Sequence, residues 1–516
     1  TKILNFIAHT TVNSAIERTK KWELNPPNIF KLPASGKDAN SEIPEHRKIF
    51  TEKGPEALSK WILKQKKLLV TDTTFRDAHQ SLLATRMRTY DMLGAAEFTS
   101  KVEKDVFSFE MWGGATFDVC MRFLHESPWE RLSKLRDKIP HGMFQMLLRG
   151  SNAVGYKNYP DNVVKEFIKK AASSGIDIFR IFDCFNWLEN MKLAINSALE
   201  TGKVVEAAIC YTGDITDEKR NKYSLSYYVN LAKELSKLGV HIIAIKDMAG
   251  LCKPFAAEKL IKAIKDETGI PLHFHTHATS GNGEATILKA SEAGVDIVDL
   301  SISSLSGGTS QPSLNAVVAA LDGQKRDTGL DLIQLNFLSS YWESVRELYF
   351  PFEADMKSSN ADVYLYEIPG GQYTNLRAQA SSLGLGDRWE EIKRMYRDVN
   401  QLFGDIIKVT PSSKVVGDMS LFLVQNNLTT NHVLNSGENI SFPESVIDMF
   451  KGNLGQPYKG FPRKIQKIVL NDFKPSKGRP GKLLKNINLK TELAELRNKL
   501  DESIDEKDSI SYLLYP

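Results

Sequence analysis

The sequence predicts an α/β fold: a (β/α)8, or TIM, barrel with a mainly helical domain packed at the barrel mouth. Three observations carry this. Eight short strand-like runs follow one another between residues 67 and 301, amphipathic stretches of helical spacing separate them, and beyond residue 324 the rhythm gives way to long helical patterns. An open doubly wound sheet is the alternative architecture, but no G-x-G-x-x-G follows the first run, which counts against a dinucleotide fold. At 516 residues the chain is too long for one ordinary core, so two or more domains are expected.

The runs, in order, are 67–71 (KLLVT), 106–111 (VFSFEM), 143–148 (MFQMLL), 176–182 (IDIFRIF), 204–210 (VVEAAIC), 240–246 (VHIIAIK), 271–275 (PLHFH) and 295–301 (VDIVDLS). Helical spacing between them is clear at 163–172 and 227–238. Ahead of the first run, 56–66 (EALSKWILKQK) aligns Leu58, Trp61 and Ile62 and ends in lysines, which suits a helix C-terminus. Residues 1–45 crowd Pro26, Pro27, Pro33, Ser35 and Gly36 together, and they read as a connecting segment from an upstream domain. The barrel core is then 46–323. Helices are expected at 332–349, 386–403 and 414–425, separated by loops such as IPGGQ and TPSS, in an extension over 324–470 that completes the active site. Residues 471–485 are basic and contain Pro and Gly, as a mobile loop does, and a terminal helix follows at 489–500 within the last segment, 471–516.

Composition is that of a soluble globular protein, 42% apolar and 25% charged. A net charge of +4 from 67 basic and 63 acidic residues gives no argument for nucleic acid. There is no signal peptide and no apolar run of membrane-spanning length. Cys120, Cys184, Cys210 and Cys252 are widely spaced without a CxxC pair, which fits free thiols in a reducing cytosol and a cytoplasmic location. Because the first residue is Thr, the chain is expected to be a piece of a longer polypeptide.

The chemistry is organised around residues 271–281, PLHFHTHATSG. Alternate residues of a strand share a face about 6.6 Å apart, so His275 and His277 can point at one ion, while His273 lies one step deeper and fills the core. The alternative is that all three are satisfied core histidines. A strand running into small polar residues and Gly marks a strand end, where a parallel barrel keeps its chemistry. The first run feeds residues 71–80, TDTTFRDAHQ, where Arg76, Asp77 and Gln80 supply a cation, a carboxylate and an amide. Asp77 with His275 and His277 makes an N,N,O set that suits Zn²⁺ or Mn²⁺ and leaves positions open. The sixth run ends AIKDMAG and places Lys246 at the rim. An ammonium beside a divalent cation is repelled, but reaction with CO₂ turns the lysine into an anionic carbamate and an oxygen ligand. A plain Lys246–Asp247 ion pair is the competing reading.

Several long segments then coincide with one family: LLVTDTTFRDAHQSLLATRMRT, EMWGGATFDVCMRFLHESPWERL, QMLLRGSNAVGY, IKDMAGL, SGGTSQPS, PGGQYTNLRAQ, KVTPSSKVVGD, FPESVIDMFKGNLGQP and the closing YLLYP. From about residue 55 onward the chain resembles the carboxyltransferase domain of pyruvate carboxylase, a biotin-dependent ligase. The resemblance implies a divalent metal held by Asp77, His275, His277 and a carbamylated Lys246. It implies that Arg76, Gln80 and Arg149 bind the carboxylate and carbonyl of pyruvate, that Thr410 carries the proton, and that Asp118, Tyr156 and Ser413 receive the biotin ring. Carboxybiotin would give up CO₂ to the enolate of pyruvate, forming oxaloacetate.

Two departures from the family pattern stand out. Family members usually read HTHDTSG, whereas position 278 here is Ala278, so a change in the surroundings of the metal is expected. No AMKM-like biotin-attachment segment and no Gly-rich ATP-binding half are found, so biotin has to arrive on a domain not in this chain. By resemblance, the partners are the biotin carrier and biotin carboxylase domains of the parent polypeptide, and the assembly is a homo-oligomer, a tetramer built from barrel–barrel dimers. The α subunit of an oxaloacetate decarboxylase, or a transcarboxylase, is the alternative within the superfamily, and Ala278 leans towards it. A barrel kept only as an assembly module is the non-enzymatic alternative.

Overall fold

The computed structural model describes residues 28–34, 42–354, 356–471 and 473–515. Eight parallel strands close in sequence order into a barrel. They are β1 Leu69–Asp72, β2 Ser108–Trp112, β3 Phe144–Leu148, β4 Ile178–Ile181, β5 Val204–Cys210, β6 Ile242–Asp247, β7 Leu272–Thr276 and β8 Ile297–Leu300. Each lies within, or within a residue of, one of the eight expected runs. All eight are buried throughout, because helices cover the outside and side chains fill the inside, and that is why they read as nearly continuous apolar runs. Cross-strand register places Cys210 beside Lys246 and Lys246 beside His275, so three strands deliver polar groups to the same height at the C-terminal rim.

The bottom of the barrel is apolar. The helix Glu45–Leu63 bends at Gly54, φ 81°, before Pro55. It seats Phe50, Leu58 and Ile62 on a ring made of Leu69, Phe107, Met143, Ile178, Val204, Ile242 and Ile297. Above that ring the interior turns ionic. Arg180 of β4 pairs with Glu206 of β5 and Asp299 of β8, and His273 of β7 bridges the same carboxylates at 2.9 and 2.7 Å. His273 thus fills the core as a member of a buried charge network, where every ion has a hydrogen-bonded partner.

Beyond the barrel, helices Leu332–Leu348, Trp389–Leu402 and Ser412–Gln425 occupy the three expected places. The IPGGQ stretch differs from the expected loop: its glycines open a helix, Gly370–Ser382. A Cβ at Gly370 would lie 2.9 Å from the Thr309 carbonyl oxygen, so glycine lets this helix approach the loop after β8. The basic stretch expected to be mobile is tied down. The Ser476 amide donates to Lys451 O at 2.7 Å, and Arg479 donates to Ser151 Oγ at 3.1 Å and Asp161 Oδ1 at 2.8 Å. The terminal helix is found at Leu489–Lys499, and a further one follows at Glu506–Leu514. Of the connecting segment, Phe30 rests on Phe337 with centroids 6.4 Å apart, while residues 1–27 and 35–41 lie outside the described residues.

Candidate active site

β1 runs directly into a π-helical turn, Thr74–Ala78, then the short helix His79–Leu82. The turn is anchored by Asp72, whose Oδ1 accepts from the Thr74 amide at 2.9 Å, and by Thr74 Oγ1, which accepts from the Ile302 amide at 3.0 Å. A wide turn of this kind lets two consecutive residues serve one site. Arg76 and Asp77 both face the barrel mouth and pair at 2.8 Å.

Asp77, His275 and His277 offer ligand atoms that all lie within 4.8 Å of one another, and all three are buried. Asp77 Oδ2 is 3.6 Å from His275 Nε2 and 3.5 Å from His277 Nε2, and the two Nε2 atoms are 3.2 Å apart. Lys246 Nζ lies 3.4 Å from His275 Nε2. The partners behind the imidazoles set their tautomers. His277 Nδ1 is 2.7 Å from Thr309 O, which can only accept, and His275 Nδ1 is 2.6 Å from Asp299 Oδ2. Each Nδ1 therefore carries the hydrogen, and each Nε2 turns a lone pair inward. Two lone pairs and a carboxylate aimed at one another form a cradle that a cation satisfies. The residues fit a divalent metal.

Charge states agree. Burial, reinforced by Lys246, pushes His275 well below the ordinary imidazole range, and burial lowers His277 as well, so both rings stay neutral as ligands require. Burial opposes the charge on Asp77, but the Arg76 guanidinium beside it holds the carboxyl below its usual value. Burial lowers Lys246 too, against the pull of Asp77. Among the described residues no carboxylate forms an ion pair with Lys246. Asp247 turns away and accepts from the Leu251 and Cys252 amides at 2.8 and 2.9 Å and from Thr276 Oγ1 at 2.8 Å, so the competing rim-pair reading falls.

A second cluster adjoins the first across Gly113 and Gly114. A Cβ at Gly113 would lie 3.2 Å from Arg76 Cδ, and one at Gly114 would lie 2.4 Å from Arg149 Nη1, so the glycine pair lets two arginines stand on either side of one loop. Arg76 reaches Gln80 Oε1 at 3.3 Å and also pairs with Glu110. Arg149 is braced by Gly155 O at 3.0 Å and lies 5.0 Å from the centre of the Tyr156 ring. The Tyr156 hydroxyl donates to Asp118 Oδ2 at 3.1 Å.

Thr410 and Ser413 stand at the start of the helix Ser412–Gln425. Lys408 ties that start to the loop after β5 through Thr212 Oγ1 at 3.2 Å, and the Ser412 amide faces the Cys184 sulfur after β4. β5 pairs with β6, which carries Lys246, and β4 is the next strand round. Among the described residues, neither Thr410 nor Ser413 makes a side-chain hydrogen bond to the Asp118–Tyr156 pair or to the cradle.

Comparison with known proteins decides the family. Residues 163–341 match the HMGL-like family and residues 363–516 match the family described as a conserved carboxylase domain. The chain is 52% identical over its full length to pyruvate carboxylase of Bacillus subtilis and 50% identical to that of Staphylococcus aureus, and it spans 45% of each. It superposes on the carboxyl transferase domain of Rhizobium etli pyruvate carboxylase, solved with pyruvate and biocytin, with a TM-score of 0.92 at 52% identity, covering 95% of this chain and 82% of that one. The chain belongs to the pyruvate carboxylase carboxyltransferase-domain family.

Within this carboxyltransferase domain, Ala278 adjoins the segment that supports the cradle but its side chain bonds to none of the cradle's groups. Its amide donates to Ser310 O at 2.8 Å, its carbonyl accepts from Ser359 Oγ at 2.7 Å, and its methyl faces Gly283. Neither imidazole depends on it. The relatives named are pyruvate carboxylases, so the decarboxylase alternative that Ala278 suggested is not favoured. Sequence reasoning missed Asp299, Thr309 and Gln311, which hold the ligands in place; Gln311 Nε2 donates to Asp77 Oδ2 at 2.8 Å. Two of them sit in the SGGTSQPS segment. Asp299 was signalled by an acidic residue inside an apolar run.

Proposed function

We propose that this domain carries out the carboxyltransferase half-reaction of pyruvate carboxylase, moving the carboxyl group of carboxybiotin to pyruvate to give oxaloacetate. The convergence of Asp77, His275, His277 and Lys246 beside Arg76 is the observation that carries the reading. A divalent ion, Zn²⁺ or Mn²⁺, bound in that cradle would supply Lewis-acid polarisation of a substrate oxygen. Lys246 would join its ligands as a carbamate: burial favours its neutral amine over the ammonium, and that amine adds to CO₂ and releases one proton.

The remaining roles fall to the chain's own groups. Arg76, Gln80 and Arg149 grip the pyruvate carboxylate and carbonyl, and the two guanidinium groups oppose the negative charge that grows on the enolate oxygen as the methyl proton leaves. Thr410 takes that proton and passes it to the ring nitrogen that lost its carboxyl group, since a hydroxyl both donates and accepts. Asp118, Tyr156 and Ser413 hold the biotin ring. Confinement of enolate and CO₂ between the two clusters supplies proximity. In this reading residues 46–323 form the carboxyltransferase core, and 324–470 complete the site with Thr410.

The chain spans less than half of the curated relatives it matches, so carrier and biotin carboxylase domains outside it would deliver the carboxyl group, within a homo-oligomer. Four buried free cysteines suit a reducing, cytoplasmic setting, and no helix among the described residues is long and apolar enough to cross a membrane. The test is oxaloacetate decarboxylation with free biotin, the half-reaction in reverse. Turnover that depends on biotin and is lost in Lys246→Gln supports the reading. A purified, metal-loaded domain with no biotin-dependent turnover contradicts it.

A further inference from the structure

Tyr515 takes no part in the chemistry above, yet its hydroxyl is bonded into the site's walls. It follows the helix Glu506–Leu514 and lies 2.5 Å from Val154 O and 3.0 Å from Gly114 O. Carbonyls only accept and a phenol has one hydrogen, so Tyr515 donates chiefly to Val154 O, the nearer acceptor, and shares that hydrogen with Gly114 O in a three-centre bond. Burial pushes that phenol far above its ordinary range, which keeps it protonated at any working pH. The same two residues define the seat of Arg149. Its Nη1 reaches Val154 O at 3.4 Å and stands over the Cα of Gly114. The Tyr515 ring also meets Tyr156 edge-on, with centroids 6.4 Å apart.

Two segments are therefore joined by one hydroxyl. The helix Gly114–Val119 that follows β2 carries Asp118, and the segment after β3 carries Arg149 and Tyr156. The strut has its own anchors away from the pocket: Trp129 Nε1 donates to Ser511 Oγ at 2.8 Å and the Tyr159 hydroxyl donates to Leu514 O. We propose that Tyr515 is a positioning residue of the carboxyl-transfer site, tying the start of the helix Gly114–Val119 to the segment after β3 and so fixing Asp118 against the Arg149–Tyr156 pair. The inference rests on the reading of that pair of segments as the biotin pocket.

The experiment compares wild type, Tyr515→Phe and Ser511→Ala in biotin-dependent oxaloacetate decarboxylation, with metal content measured on each preparation. Tyr515→Phe keeps the ring and loses the strut, so KM for biotin should rise about five- to tenfold while kcat and metal content stay within about twofold. Ser511→Ala removes one anchor of the same helix but spares the hydroxyl, so its KM should rise clearly less than that of Tyr515→Phe. Tyr515→His, which keeps an aromatic ring and a donor N–H, should fall between wild type and Tyr515→Phe and takes its place if that variant does not fold. An unchanged KM in the position-515 variants, or an equal rise in Ser511→Ala, overturns the inference. A wild type without biotin-dependent turnover would sink the underlying reading of the site instead, so the two failures are distinguishable.

Discussion

At Asp299 a single carboxylate serves Arg180, His273 and the Nδ1 of His275. Burial opposes its charge, but Arg180 and then His273 offset that and hold the carboxyl well below the usual range, so it remains an anion against which the His275 N–H can point. Asp299→Asn keeps the shape and removes the charge. It should weaken metal affinity about 10- to 100-fold, read by competition with a chelator, and an unchanged affinity would leave Asp299 a packing residue. Thr410→Ala should leave folding and metal content intact while abolishing carboxyl transfer, measured as oxaloacetate decarboxylation; near-normal turnover would remove Thr410 from the mechanism. The grouping of Asp77, His275 and His277 was readable because alternate residues of a strand share one face and the first strand's end adjoins the same mouth. Their supports were less so: a carbonyl such as Thr309 O leaves no mark in side-chain chemistry, and Asp299 resembles any acidic residue until the strand around it is known to be buried on both faces.

At the scale of elements, the strands were legible because buried parallel strands cannot tolerate long polar stretches, and the π-helical turn was not, since nothing in TFRDA distinguishes it from an ordinary helical turn. Arg180, Glu206 and Asp299 each interrupt an apolar run, a shared signal that the barrel interior is ionic above its lowest ring. The helix Glu506–Leu514 was missed although Asp505 and Asp508 form a reciprocal cap at its start, because Asp is an uncommon partner at the third position. The plug helix Glu45–Leu63 makes a pH-dependent prediction. His46 is buried against Trp61 and Phe107, and burial lowers its pKa from 6.5 to about 3. The unfolded chain therefore takes up a proton near pH 6.5 that the folded chain refuses until about 3, so this contribution is complete above 6.5 and is lost as pH falls below it. Its slope is about 1.4 kcal/mol per pH unit. Denaturant melts of His46→Phe should show a shallower acid dependence by one proton between about pH 6 and pH 4; identical slopes would mean His46 titrates normally in the folded state.

At the scale of the whole molecule, the helical region is bonded to the barrel at several separate points. Lys408 bridges Thr212 to Glu367, Arg479 clamps the start of the helix Asp161–Ser173, and Trp129 holds Ser511. These long-range ties hold residues 363–515 against the barrel, a relationship that local patterns could suggest only through the motifs both halves contain. The proposed reaction requires a cation seated among Asp77, His275, His277 and Lys246, and elemental analysis of the purified chain tests for it without reference to turnover. About one divalent ion per chain is expected, falling to below about a tenth when His275 and His277 are both replaced by alanine. Less than about a tenth of an ion in the wild-type protein, even after incubation with Zn²⁺ or Mn²⁺, would contradict it.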